Sequence, residues 1–330
     1  MNTPETSTSL DAAAASFVLP AVLFAANELR VFDAIASEGS TADEVARAVR
    51  AEALPVDLLL NTLASLGLVE KRDGRFALDA EQSRALRRGD ASMQARLDEL
   101  QAQAAQWMQL AAVARREVVT PAYYDAMIHS PRAAGYLSPI ASFNSPYAAP
   151  MLDALGDALA GLRASLDVGG GHGGYSRAVL ERFPEARATV YDLAHSLAYG
   201  RALTEEHPAR DRMDYVVGDA RDLSLEPRFD LVMVNDMLHY MDAGEKRDVL
   251  RRALAAVRPG GVIAAAKPRL DDDAVSPQSS ALFSLRMFVH TRSSWLETDA
   301  ETARILREVG ARDVTVMPLD DVKSVVWGRR

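Results

Sequence analysis

Cysteine is missing altogether from the 330 residues. Its absence excludes a disulfide framework, a thiolate-ligated metal centre and a cysteine nucleophile. Aromatic residues are scarce, at 6%, so any local crowding of them is informative. Positive charge is in deficit: 37 Lys and Arg stand against 46 Asp and Glu, a net charge of −9. That deficit weighs against broad binding to a nucleic-acid backbone. Long hydrophobic runs are lacking too. The strongest, Phe17 to Ala26, contains Pro20 and by its length falls short of a bilayer. No basic residue precedes it, so a secretory leader is not expected. These exclusions point to a cytoplasmic protein with neither membrane nor nucleic acid as partner. What is present, 48% hydrophobic and 25% charged residues, is a globular composition with length enough for two domains.

The first third reads as short helices followed by a hairpin. Residues up to about Leu10 are polar and are expected to be loose. Ala12 to Ile35 carries apolar residues at helical spacing around Pro20. Ser40-Thr41-Ala42-Asp43-Glu44 has the form of a capped helix start. Pro55 sits in the first turn of a third helix, with Leu58, Leu59, Leu63 and Leu66 on its apolar side. Asp73-Gly74 between two alternating runs, Leu68–Arg72 and Arg75–Leu78, predicts a tight β-turn. Helices followed by such a hairpin form a winged-helix pattern. Residues 1–110 hold only 10 Lys and Arg against 16 Asp and Glu, and the third helix has no cation between Val56 and Leu68. A groove-reading helix needs cations, so this region, with the helices at 91–118, is expected to pair subunits into a homodimer.

From about Ala164 the chain alternates strands and helices. Strands are predicted at Ser165–Val168, Ala188–Tyr191, Asp214–Val217, Asp230–Val234, Val262–Ala266, Asp313–Met317 and Val322–Trp327. Helices are predicted at Tyr175–Arg182, Gly244–Val257 and Asp299–Val309. This is the pattern of an α/β doubly wound sheet with ligands at the carboxyl ends of its strands. The last two strands, only Pro318-Leu319-Asp320-Asp321 apart, must run antiparallel at one edge.

Between the first strand and its helix lies Leu166-Asp167-Val168-Gly169-Gly170-Gly171-His172-Gly173-Gly174-Tyr175-Ser176. Glycines let this backbone turn tightly and approach a ligand, and the helix behind it offers N–H groups to an anion. Asp192 ends the next strand, where a carboxylate can accept both hydroxyls of a ribose. Val217-Gly218-Asp219-Ala220 follows the third strand, with Asp219 placed for an adenine amino group. Arg258-Pro259-Gly260-Gly261 is read as the turn into the fifth strand. Together these describe a nucleoside site, which a nicotinamide dinucleotide could also use.

The combination resembles the plant-type O-methyltransferase family, which includes caffeate, flavonoid and phenazine methyltransferases. The resemblance spans the helical front region, Asp167–Gly173, Asp192, Gly218-Asp219 and Arg258–Gly261. It implies a class I methyltransferase fold, Rossmann-like, with an antiparallel C-terminal hairpin and an N-terminal winged-helix dimerisation domain. The implied division is 1–110 for dimerisation, 111–160 as a helical linker contributing to the acceptor pocket, and 161–330 for S-adenosyl-L-methionine. Gly169 and Gly171 would lie under the methionine part, Asp192 on the ribose, and Asp219 with Ala220 at the adenine, with Asp167 and Gly218 also among the cofactor-binding residues. Asn235 falls where the family often has a Lys near the cofactor carboxylate.

Methyl transfer is an in-line displacement helped by alignment and, for a hydroxyl acceptor, by a base. The resemblance places that base at His239, although Tyr240-Met241 replaces the Asp-Trp that usually follows, and it places an orienting carboxylate at Glu297. Lys267, where the family commonly has Glu, together with Arg286 and His290, would present cations suited to an acidic acceptor. Tyr123, Tyr124, Tyr136, Phe143, Asn144 and Tyr147 crowd one stretch of an aromatic-poor chain. Tyr124, Asn144 and Tyr147 are the expected acceptor contacts. His239 and His290 lack a third partner for a metal, so no metal is expected. Three readings stay open: transfer to a hydroxyl with His239 as base, transfer to a thioether or amine that needs no base, and a non-catalytic regulator that binds the same cofactor.

Overall fold

The computed structural model describes residues 4–89, 92–117 and 141–330. The chain divides into two compact units, Met1–Met108 and Gln109–Arg330.

The first unit is helical. It contains α1 (Pro4–Ala15), α2 (Val18–Glu28), α3 (Val31–Ala34), α4 (Ala42–Val49), α5 (Ala53–Ser65), a hairpin of β1 (Glu70–Arg72) and β2 (Arg75–Ala77), α6 (Ala80–Leu86) and α7 (Gln94–Trp107). The polar start expected to be loose is helical. The helical run through Leu10–Glu28 is long and apolar enough to cross a membrane by length and composition, so the shorter Phe17–Ala26 count does not by itself exclude a span. Thr41 caps α4 as its sequence predicts: its hydroxyl accepts the Glu44 N–H while the Glu44 carboxylate accepts the Thr41 N–H. Asp73 and Gly74 both adopt positive φ, 49° and 75°, the requirement of the primed turn that joins β1 to β2. Phe32, Ile35, Leu60, Leu63 and Phe76 form the buried core.

The second unit begins with α8 (Leu110–Ala114); its later elements include a short 3₁₀ turn at Ser145–Tyr147 and α9 (Ala148–Leu155). A seven-stranded sheet follows: β3 (Ala164–Val168), β4 (Arg187–Asp192), β5 (Met213–Val217), β6 (Phe229–Met233), β7 (Val257–Pro268), β8 (Arg312–Pro318) and β9 (Lys323–Arg329), in the order β5-β4-β3-β6-β7-β9-β8. β3, β4, β5, β6 and β7 are parallel, and β9 pairs antiparallel with both β7 and β8. All seven predicted strands form. Alternation along them feeds two cores: Leu231 and Met233 of β6 pack on one face, Val232 and Val234 on the other.

α10 (Gly174–Arg182) and α11 (Ala194–Thr204) follow β3 and β4. α12 (Ala243–Ala256) precedes β7, while α13 (Gln278–Thr291) and α14 (Asp299–Glu308) precede β8. One boundary differs from expectation. Arg258-Pro259-Gly260-Gly261 lies inside β7 and not before it. Gly260 at φ +78° and a register shift beside Phe229 and Leu231 absorb the bend as an irregularity within the strand. Strand order reverses at β3, whose neighbours are β4 and β6, so the crevice for a ligand opens at the carboxyl ends of these three strands.

Candidate active site

The glycine loop after β3 is shaped by its neighbours as well as by any ligand. Gly169 has φ +70°, and a Cβ there would stand 2.5 Å from the Met237 sulfur. Gly171 has φ +33°, and its N–H donates to Asp192 Oδ2 at 2.8 Å. α11 presses on the loop from behind: a Cβ on Gly200 would lie 2.1 Å from the Gly171 carbonyl oxygen. At the head of α10 the Gly174 N–H is already taken by His172 Nδ1 at 3.0 Å. Burial pushes the His172 pKa down to about 4, so the ring is neutral and free to accept.

Asp192 ends β4 with each carboxylate oxygen on one backbone N–H, from Gly171 and from Leu193. The Ser196 side chain also hydrogen-bonds this carboxylate, so of its roughly four acceptor sites about one stays open for a hydroxyl. Asp167 is buried beneath the loop, its Oδ2 accepting from the Ser176 hydroxyl at 3.0 Å, and burial lifts its pKa to about 7. Its Oδ1 is buried without a partner, as is Asn235 Nδ2, whose side-chain oxygen accepts from the Ala266 N–H. Asp167 pairs with Met233 in the sheet, so these two orphaned atoms belong to neighbouring strand ends. An acceptor oxygen and an amide donor left open there fit the ammonium and carboxylate of an amino acid.

The third expected cofactor segment is arranged differently. Arg221 grips the Asp219 carboxylate through Nη2 at 2.6 Å and Nε at 3.0 Å, which holds its pKa below the usual range. Asp219 is therefore not a bare acceptor for an adenine amino group. Gly218 is glycine because the Tyr191 hydroxyl stands 2.0 Å from where its Cβ would be. Ala220 is buried behind it.

His239 lies in a short 3₁₀ turn after β6, 4% exposed. The Tyr240 ring is 4.4 Å away and the Phe283 ring meets it edge-on at 4.9 Å. Its carbonyl accepts from the buried Ser294 hydroxyl, which fixes the backbone. Burial, reinforced by Lys323, Lys246, Arg286 and Lys267, depresses the imidazole pKa well below 6.5. The ring is thus neutral, with a lone pair.

Two expected roles near His239 need correction. Glu297 does not pair with the imidazole; it forms a buried ion pair with Lys246 at 2.9 Å. The same ammonium donates to the Trp295 carbonyl at 2.6 Å. A carboxylate at 2% exposure needs a counter-charge, and α12 supplies one. Lys267 likewise is no free cation: it is buried against Asp299 at 2.8 Å, which also accepts from Ser324.

A third pair, missed from sequence, joins Lys323 to Asp236, whose second oxygen accepts from the Tyr175 hydroxyl at 3.1 Å. Lys323 lies over the Tyr147 and Phe143 rings at 5.3 and 5.9 Å, which places Tyr147 in this cluster with the buried Asn144 one turn before it. Pairing β9 with β7 sets Lys323 opposite Pro268, beside Lys267. A lysine predicted inside a strand, next to another at a strand end, was the available signal. Arg286 is half-buried over the Phe283 ring, and His290 is buried on the same helix, its pKa pushed down to about 4 by burial. Tyr123, Tyr124 and Tyr136 lie outside the described residues.

Residues 121–312 match the O-methyltransferase domain, and residues 12–87 match the O-methyltransferase dimerisation domain. The chain is similar to 3-hydroxy-5-methyl-1-naphthoate 3-O-methyltransferase of Streptomyces sahachiroi, with 29% identity covering 88% of this chain and 86% of that protein. It is also similar to acetylserotonin O-methyltransferase of Homo sapiens, with 27% identity over 95% of each. Among solved structures, an O-methyltransferase family protein from Burkholderia thailandensis aligns with TM-score 0.73 and 27% identity over 98% of both chains. Human N-acetylserotonin methyltransferase in complex with SAM aligns with TM-score 0.70 and 25% identity over 100% of this chain and 99% of that one.

Proposed function

The chain belongs to the O-methyltransferase family, S-adenosylmethionine-dependent enzymes acting on small molecules, and from that premise we propose that His239 is the base that accepts the proton of the acceptor's hydroxyl. The observation that carries this reading is the imidazole itself: buried at the end of β6, neutral, and with no hydrogen-bond partner for its ring among the described residues. A neutral ring with an open lone pair can take a proton, and a positioned base contributes about 10²–10⁴-fold. Ser294 and the rings of Tyr240 and Phe283 hold it in place.

When bound, S-adenosylmethionine supplies a methyl group on a positively charged sulfur, already activated for displacement. The loop at Gly169–Gly171 and the carboxylate of Asp192 hold the nucleoside. Asp167 Oδ1 and Asn235 Nδ2 would receive the amino-acid end, and Ala220 would serve the adenine, with Asp219 braced by Arg221. Asn144 and Tyr147 line the acceptor side, with Lys323 and Asp236 behind them.

The front unit pairs two copies into a homodimer. Its support is the dimerisation-domain match and an apolar surface of Leu10, Phe17, Val18, Leu19, Leu58 and Leu66, all exposed.

The test is product analysis with S-adenosylmethionine and matched acceptors bearing a phenolic hydroxyl, a thioether or an amine. Formation of the methyl ether, with S-adenosylhomocysteine in equal amount, is the expected outcome. Methylation of sulfur or nitrogen alone would contradict the assignment of a base.

A further inference from the structure

Four cations bear on the His239 imidazole: Lys323, Lys246, Arg286 and Lys267. The three lysines each have a carboxylate of their own, Asp236, Glu297 and Asp299 respectively. Arg286 has no carboxylate within ion-pair distance among the described residues; its guanidinium lies over the Phe283 ring, 4.7 Å from the centroid. Phe283 in turn meets the His239 ring edge-on. Phe283, Arg286 and His290 share one face of α13, three and four residues apart. A single uncompensated positive charge therefore stands one ring away from the base, half-buried, where a charge left without a partner is costly.

We propose that Arg286 binds a carboxylate on the methyl acceptor, so that the substrate is a hydroxylated carboxylic acid whose acid group is recognised and whose hydroxyl is methylated. This rests on the reading of His239 as base. A guanidinium suits the task because its planar fork matches a carboxylate with two parallel hydrogen bonds. The Phe283 ring lies against that fork. The bond changes balance without involving the acid group. The acceptor hydroxyl gives its proton to His239 and its oxygen bonds to the methyl carbon. The carbon–sulfur pair leaves with sulfur, and the carboxylate stays intact. An anion at Arg286 would also offset one of the positive charges that bear on the imidazole.

The test measures binding of 1-naphthoate and of uncharged 1-naphthamide to the full-length protein saturated with S-adenosylhomocysteine. Wild type is expected to prefer the anion by about 10- to 100-fold, the worth of one charge-assisted contact. Arg286→Ala should erase the preference, Arg286→Lys should restore part of it, and affinity for S-adenosylhomocysteine should be unchanged in both. Equal affinity for the two probes in wild type, binding of neither, or a preference that survives Arg286→Ala would overturn the proposal. Because the readout is binding, its failure is separate from failure of the base assignment, which shows only in turnover.

Discussion

A carboxyl group whose pKa burial lifts to about 7, inside the proposed cofactor cleft, would tie binding to pH. Burial raises Asp167 from 3.8 to about 7 and leaves its Oδ1 without a partner. A cation arriving at that oxygen favours the ionised form, so below pH 7 binding must release a proton. Affinity for S-adenosylhomocysteine is therefore expected to weaken as pH falls from 8 to 6, and calorimetry in buffers of different ionisation enthalpy should detect the released proton. The same group costs stability. Its folded pKa lies above its ordinary value, so its favourable contribution is complete below 3.8 and is lost as pH rises through 7. Asp167→Asn should raise the Tm at pH 8, change it little at pH 4, and abolish most cofactor affinity. A Tm gain of equal size at both pH values would show that the carboxyl is not the titrating cause.

At the level of elements, the site is assembled where strand ends meet helices packed behind them, and this divides what the sequence reveals from what it conceals. The glycine loop and Asp192 were legible because backbone conformation forces the residue type: positive φ at Gly169 and Gly171, and an acid at a parallel strand's end. The seven strands were legible by alternation. The lysine–carboxylate pairs were not, because each joins positions far apart in the chain: Lys246 of α12 with Glu297 before α14, Lys267 of β7 with Asp299, Lys323 of β9 with Asp236 after β6. Sequence shows the charges but not which of them meet, so Lys267 read as a free cation and Glu297 as a partner of His239. The consequence is testable. Glu297→Gln strands the buried Lys246 ammonium and should cost about 3–5 kcal/mol of stability. Adding Lys246→Met should recover much of it in denaturant unfolding. If Glu297→Gln left stability untouched and lowered turnover alone, Glu297 would serve the imidazole after all.

For the whole molecule, the two compact units correspond to two family matches, the dimerisation domain at 12–87 and the O-methyltransferase domain at 121–312. The front unit has the winged-helix order of helices and hairpin without the basic recognition helix. Leu10, Phe17, Val18, Leu19, Leu58 and Leu66 are exposed on it. The proposed pairing of two copies would cover them. Phe17→Asp combined with Leu19→Asp should shift sedimentation from dimer toward monomer at micromolar concentration, with the helical circular dichroism retained. A wild-type protein that sediments as a monomer under those conditions would contradict the assignment.

The base assignment for the second unit is tested most directly by His239→Ala, assayed at saturating S-adenosylmethionine with a hydroxyl acceptor that wild type converts. Release of S-adenosylhomocysteine should slow by about 10²–10⁴-fold, with its dissociation constant unchanged. A variant that turns over within threefold of wild type would show that the imidazole takes no proton.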